Sequence, residues 1–145
     1  MSPKFGLALC ILLVSAVPAF AQGAGCGSVP FAPAMPSPAD MKSKSVADAK
    51  AALHDAFSDI RNWQGDLKTF RACLDGQGSQ AKAELAGLDK TKDADRIKEL
   101  KDQKAMADHQ FDSSVDQEEK VVNEFHGAQA AYCMRSDADK SVCPK

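Results

Sequence analysis

Val46, Ala49, Leu53, Ala56, Ile60, Trp63, Leu67, Phe70 and Leu74 succeed one another at spacings of three and four residues in strict alternation. Because 3.6 residues complete a helical turn, that alternation keeps all nine side chains on one stripe and predicts a long helix with a single apolar seam. Asp75-Gly76-Gln77-Gly78 follows and is predicted to stop it, since glycine supplies the left-handed cap and costs much inside a helix. Two start signals compete upstream: Ser37-Pro38-Ala39-Asp40, with proline at the first helical position, and Ser45-Val46-Ala47-Asp48. The helix is therefore expected over about 40–75, with a turn at 75–79.

A second helical region is expected over about 80–135. It opens with a short piece around Leu85 and Leu88, then meets the polar stretch 89–96, read as a kink or a loop. Apolar positions resume at Ile97, Leu100, Ala107, Phe111, Val115, Val121, Val122, Phe125, Ala128 and Tyr132. Lys104, Ser114 and Glu118 interrupt this stripe, so the second seam looks looser than the first. Two such seams joined by a Gly-rich turn predict an all-α fold, an antiparallel hairpin of two long helices with a short helix at the turn. Residues 22–39 are rich in Gly and Pro, with Pro30, Pro33, Pro36 and Pro38 in close succession, and read as an extended lead-in to the helical domain 40–135. A polar tail, 136–145, closes the chain.

A two-helix hairpin buries little surface for its length, so something must supplement the seam. The ends of the chain suggest what. Lys4 precedes an apolar run from Phe5 to Val17, Pro18 breaks it, and Ala19-Phe20-Ala21 places small residues where a signal peptidase inspects them. Residues 1–21 are thus expected to be a secretory signal peptide, too short to span a membrane, and the mature chain to be periplasmic or secreted with no transmembrane segment after cleavage. Gly23 stands where a lipid-attachment box needs an aliphatic residue, which argues against lipidation of Cys26.

Of the five cysteines, Cys10 leaves with the signal, and Cys26, Cys73, Cys133 and Cys143 remain in an oxidising compartment. With a helix starting near residue 40, Cys73 lies ~50 Å along it. An extended segment from Cys26 reaches ~46 Å. With the ~5.5 Å span of the bridge itself, a Cys26 to Cys73 bond closes. It would strap the lead-in along the first helix, leaving Cys133 to pair locally with Cys143. That is the preferred pairing. The rival joins Cys26 to Cys133 or Cys143 and strands Cys73 near the turn.

The net charge of −2 is built from interspersed signs, so no basic patch points to nucleic acid. His54, His109 and His126 form no i, i+4 pair of metal-binding type. His109, Asp112 and Asp116 do make an i, i+3, i+7 stripe, a weak candidate for a divalent cation that also reads as a solvated face. His54 and Ser58 are helical neighbours, but a hairpin offers them no oxyanion site, so no catalytic residue is expected. No Cys-x-x-Cys occurs, and no cofactor is implied. Trp63 falls on the seam and is expected to be buried there, Tyr132 is either core or an interface anchor, and Gly65 lies off the seam.

Phe70-Arg71-Ala72-Cys73-Leu74, preceded by a Cys/Pro-rich segment, resembles an aromatic-x-x-Cys-Leu motif in a group of small, uncharacterised exported proteins of proteobacteria. Val115-Asp116 followed by Phe125 resembles the same group in the second helix, with His126 where asparagine is more usual. The resemblance implies an envelope helical hairpin with the Cys26 to Cys73 strap, and no activity comes with it. Together these readings predict a non-enzymatic envelope or secreted protein that interacts with an unidentified protein partner or with itself. The alternatives are a weak metal or small-ligand binder near His109 and a chaperone-like binder of clients.

Overall fold

The structure is a computed structural model and describes residues 25–144; the signal-peptide reading of residues 1–21 and Cys10 lie outside them. Three helices occur in chain order: α1 (Pro38–Ser43), α2 (Val46–Leu85) and α3 (Ala94–Cys133), followed by a single 3-10 turn at Lys140–Val142. α2 and α3, each 40 residues and so about 60 Å long, pack side by side as the antiparallel hairpin.

Both competing start signals are used. The Ser37 hydroxyl accepts from the Asp40 backbone N–H while the Asp40 carboxylate accepts from the Ser37 N–H, a reciprocal box that starts α1 with Pro38 in its first turn. Lys44 is extended (φ −70°, ψ 159°) and ends α1 after six residues. Ser45 then caps α2 by accepting from the Asp48 N–H. The bend between the caps turns Met41 into the core, where it is fully buried beside Ala49, Leu53, Ala128, Ala131 and Tyr132.

The turn lies at residues 86–93, not at 75–79. α2 passes through Gly76 and Gly78 without a break, and neither takes a positive φ. Two glycines cost about 1 kcal/mol each relative to alanine in a helix. Continuing the seam outweighs that cost: Leu74 and Ala81 are buried on either side of the pair. Leu85 is the last residue of α2 and Leu88 sits in the turn, so the short helical element of this fold is α1 at the opposite end. The reversal falls in the polar stretch because aspartates organise it. The Asp89 carboxylate accepts from the N–H groups of Thr91 and Lys92, and that of Asp93 accepts from the Asp89 N–H.

The nine predicted seam residues of α2 face α3; all are buried except Val46, which is half-buried at the helix start. On α3 the buried positions are Leu100, Ala107, Ser114, Val121, Ala128, Ala131 and Tyr132. Lys104, Ser114 and Glu118, read as interruptions, lie on that seam, and Val115, read as part of it, is exposed. The α3 seam is therefore as regular as the first, and it carries polar residues where an apolar reading sees gaps.

The lead-in covers one side of the helix pair. Cys26 is bonded to Cys73, Val29 and Met35 pack on the cluster of Ile60, Trp63, Leu67 and Val121, and Pro30 C=O accepts from the Trp63 indole N–H at 3.1 Å. The tail closes the open end. Tyr132 is fully buried and its hydroxyl accepts from the Asp139 N–H at 3.0 Å. Arg135 donates to the carbonyls of Met41 and Lys44 and so caps the end of α1, while Lys140 donates to the carbonyls of Cys133 and Arg135 at the end of α3. The Cys133 to Cys143 bridge holds this tail.

Two predictions follow from the strap and from the glycines. The Cys26–Cys73 bridge spans 47 residues and the Cys133–Cys143 bridge spans 10. Loop-closure entropy then gives about 4 kcal/mol for the first and about 2.7 kcal/mol for the second. Urea unfolding of the paired Cys→Ser variants should rank them in that order; equal losses would show that the lead-in holds without its bond. A Cβ at Gly76 or Gly78 meets no atom within 4 Å. Replacing either with alanine should stabilise the fold by about 1 kcal/mol, read as a rise in Tm.

Candidate functional site

The hairpin has a register that repeats every seven residues on the side away from the lead-in. Phe57 meets Phe125, with ring centroids 6.2 Å apart. One heptad on, the Gln64 amide donates to the Glu118 carboxylate at 2.7 Å. A further heptad brings Arg71 to Phe111, with the guanidinium 5.8 Å from the ring centroid. Heptad-spaced rungs form because the seam positions of both helices advance in step, so flanking positions meet at the same interval.

Arg71 is the centre of the polar rungs. Its Nε donates to the Ser114 hydroxyl at 2.8 Å, one terminal nitrogen to the Ser114 carbonyl at 2.8 Å and the other to Glu118 at 2.6 Å. Ser114, fully buried, donates its own hydroxyl hydrogen bond to the Phe111 carbonyl at 2.6 Å. No buried side-chain polar atom of the cluster is without a partner, which is the condition for tolerating it in a seam. Burial pushes the Glu118 carboxyl up, and the hydrogen bonds from Arg71 and Gln64 outweigh that, leaving it below the ordinary range.

The next rung holds Gly78 on α2, and the missing side chain leaves a groove of about 470 Å³ beside Leu74, Ala107 and Phe111, rimmed by Lys82 and Lys104. Lys104 is already paired with Asp108. Toward the other end the face is apolar: Phe57 is 49% and Val115 41% exposed, with Val122 and Phe125 half-buried between them. This face carries no lead-in, and Phe57 and Val115 are among the exposed large apolar side chains of the described residues.

His109, Asp112 and Asp116 are all exposed on α3, and among the described residues no three His, Cys, Asp or Glu side chains are grouped to hold a metal ion. His54 and Ser58 are exposed on α2, and the nearest acid to the His54 Nδ1, Asp55, is 3.7 Å away in solvent. Trp63 and Tyr132 are both buried, so neither is an anchor for a partner. Gly65 faces open solvent, with nothing within 4 Å of a Cβ placed there. All four cysteines in the described residues are paired as the strap and the tail clip. The reading by hydrophobicity missed Gln64, Arg71, Ser114 and Glu118. Their signal was positional: Ser114 and Glu118 continue the three-four spacing of Leu100, Ala107, Val121 and Ala128.

Comparison of the chain with models of protein families, with curated proteins and with solved structures finds no match to any of them.

The Arg71 cluster makes a pH prediction. The folded-state value of Glu118 is depressed, as is that of Asp139, where the hydrogen bond from Lys50 is the largest cause and those from the Ser141 backbone and side chain add to it. Groups of that sign contribute stability that is complete above the unfolded carboxylate values and is lost as pH falls through the folded ones. Stability should therefore hold from neutral pH to about 4.5 and decline below it. Glu118→Gln should flatten that decline in urea titrations at stepped pH. Arg71→Met should cost about 2–3 kcal/mol, because it leaves Glu118 and Ser114 short of partners. A double-mutant cycle in which the two losses simply add would show that the pair does not act as a unit.

Proposed function

We propose that the chain is an exported, non-enzymatic protein that works by binding another protein molecule on the uncovered face of its hairpin. One observation carries this reading: the two sides of the seam are treated differently. The lead-in, strapped by Cys26–Cys73, closes one side over Trp63, while the other leaves Phe57 and Val115 exposed around half-buried Val122 and Phe125. Exposed apolar side chains interleaved with polar and charged ones are a surface feature that binding uses. Phe57 is 49% exposed, so covering the rest of it would contribute about 1 kcal/mol.

Export is supported by the charged, apolar and small-residue pattern of residues 1–21 and by the oxidised state of both cysteine pairs. No helix of the described residues is long and apolar enough to cross a membrane. The non-enzymatic part rests on the three histidines, each on a helix exterior in solvent, and on there being no activated nucleophile beside them among the described residues. The resemblance of Phe70-Arg71-Ala72-Cys73-Leu74 to a motif of exported hairpin proteins accords with it.

A photoreactive phenylalanine analogue in place of Phe57 tests the reading in the cells that make the protein. It should give discrete protein adducts on illumination, and the same analogue at Lys90 in the turn should give none. Identical adduct patterns at both positions, or no adduct at residue 57, would count against a binding face.

A further inference from the structure

We infer that the molecule bound on this face is a second copy of the chain, related by a twofold axis that runs along the hairpin and completes a four-helix dimer. The inference rests on the binding-face reading and names its occupant. Three features of the face carry it.

The first is charge. On the uncovered side, midway along the hairpin, the outer edge of α2 presents Arg61 and Lys68 and the outer edge of α3 presents Asp112 and Glu119, all four exposed; Asp75, one heptad beyond Lys68, ends the basic edge. Among the described residues none of the four has an ion-pair partner. Arg61 lies over the Phe57 ring, 5.9 Å from its centroid, and so already stands on the face.

The second is symmetry. Two copies can meet through one face about a twofold axis along the helices or about one across them. The axis across sets α2 on α2, bringing the basic edges together, and α3 on α3, bringing the acidic edges together. The axis along the helices sets α2 of each copy on α3 of the other. The register given by the Phe57–Phe125 and Gln64–Glu118 rungs places Glu119 about level with Arg61, and Asp112 about level with Lys68. Helix direction is retained in that arrangement, so each basic residue comes opposite an acidic residue of the second copy, and the two Phe57–Phe125 pairs stack at one height. Charge complementarity therefore selects one orientation and rejects the other.

The third is size. From Lys50 to Asp75 the face is ~38 Å long. Two helices ~10 Å apart make it ~20 Å wide, which is ~750 Å² per copy. That matches the ~800 Å² per partner of a standard stable interface. Each long helix then gains a second apolar neighbour, as in a four-helix bundle.

Sedimentation equilibrium of the full mature chain, with both disulfides formed, tests the inference through a charge exchange. The unaltered protein should be a dimer. Arg61→Glu should be a monomer, and so should Glu119→Arg, each with undiminished helical circular dichroism. The double variant Arg61→Glu with Glu119→Arg should recover the dimer. A wild-type monomer up to the limit of solubility overturns the inference, as does a dimer that neither single change weakens. If the protein is monomeric while the residue 57 crosslink captures a different polypeptide, the second copy is wrong and the binding face stands. If residue 57 captures nothing, both fall.

Discussion

Two helices that meet along one line bury only the stripe between them. For α2 and α3 that stripe runs the full length of the hairpin, from Ala49 and Tyr132 at the open end to Ala81 and Leu100 near the turn. With the partner helix as its sole cover, each seam residue would be open to water on the two flanks. Everything else in the structure answers to that shortage of cover. The lead-in lies along one flank, held by Cys73 at its start and by the cap of α1 at its finish. α1 and the tail close the open end, with Met41 and Tyr132 as the buried pieces they share.

The same constraint explains why polar residues are tolerated in the α3 seam. A strip one helix-contact wide leaves long side chains near solvent, so Arg71 and Glu118 keep part of their hydration while Ser114 is satisfied within the cluster. The cluster fixes register: sliding α3 by one heptad in either direction would take Glu118 away from Gln64. Apolar seams repeating every seven residues admit such slips, and a single polar position suppresses them.

Only one flank is closed. A chain that strapped its lead-in over Trp63 and left Phe57 in water has an asymmetric surface, and the asymmetry is where a functional account can begin. The charges follow it as well, basic along α2 and acidic along α3 in the middle of the open flank, and these edges face outward unpaired. A stable monomer has no need of that separation, whereas a self-complementary interface does.

From the residues alone, the helical class, the seam of α2, the extended lead-in and both disulfide pairings could be read, because periodicity and chain reach are local or nearly local properties. Val46 to Leu74 needed no partner to declare their stripe. The turn could not be placed that way: Gly76 and Gly78 are strong local stop signals, and only the burial of Leu74 and Ala81 on either side of them carries the helix past. Ser114 and Glu118 were hidden for the same reason, since their place in the seam depends on Arg71 arriving from the other helix. Which flank is covered, and which is left open, was decided by the tertiary fold. The direction in which a strapped segment lies down is set by contacts between residues more than thirty positions apart, such as Trp63 with Pro30.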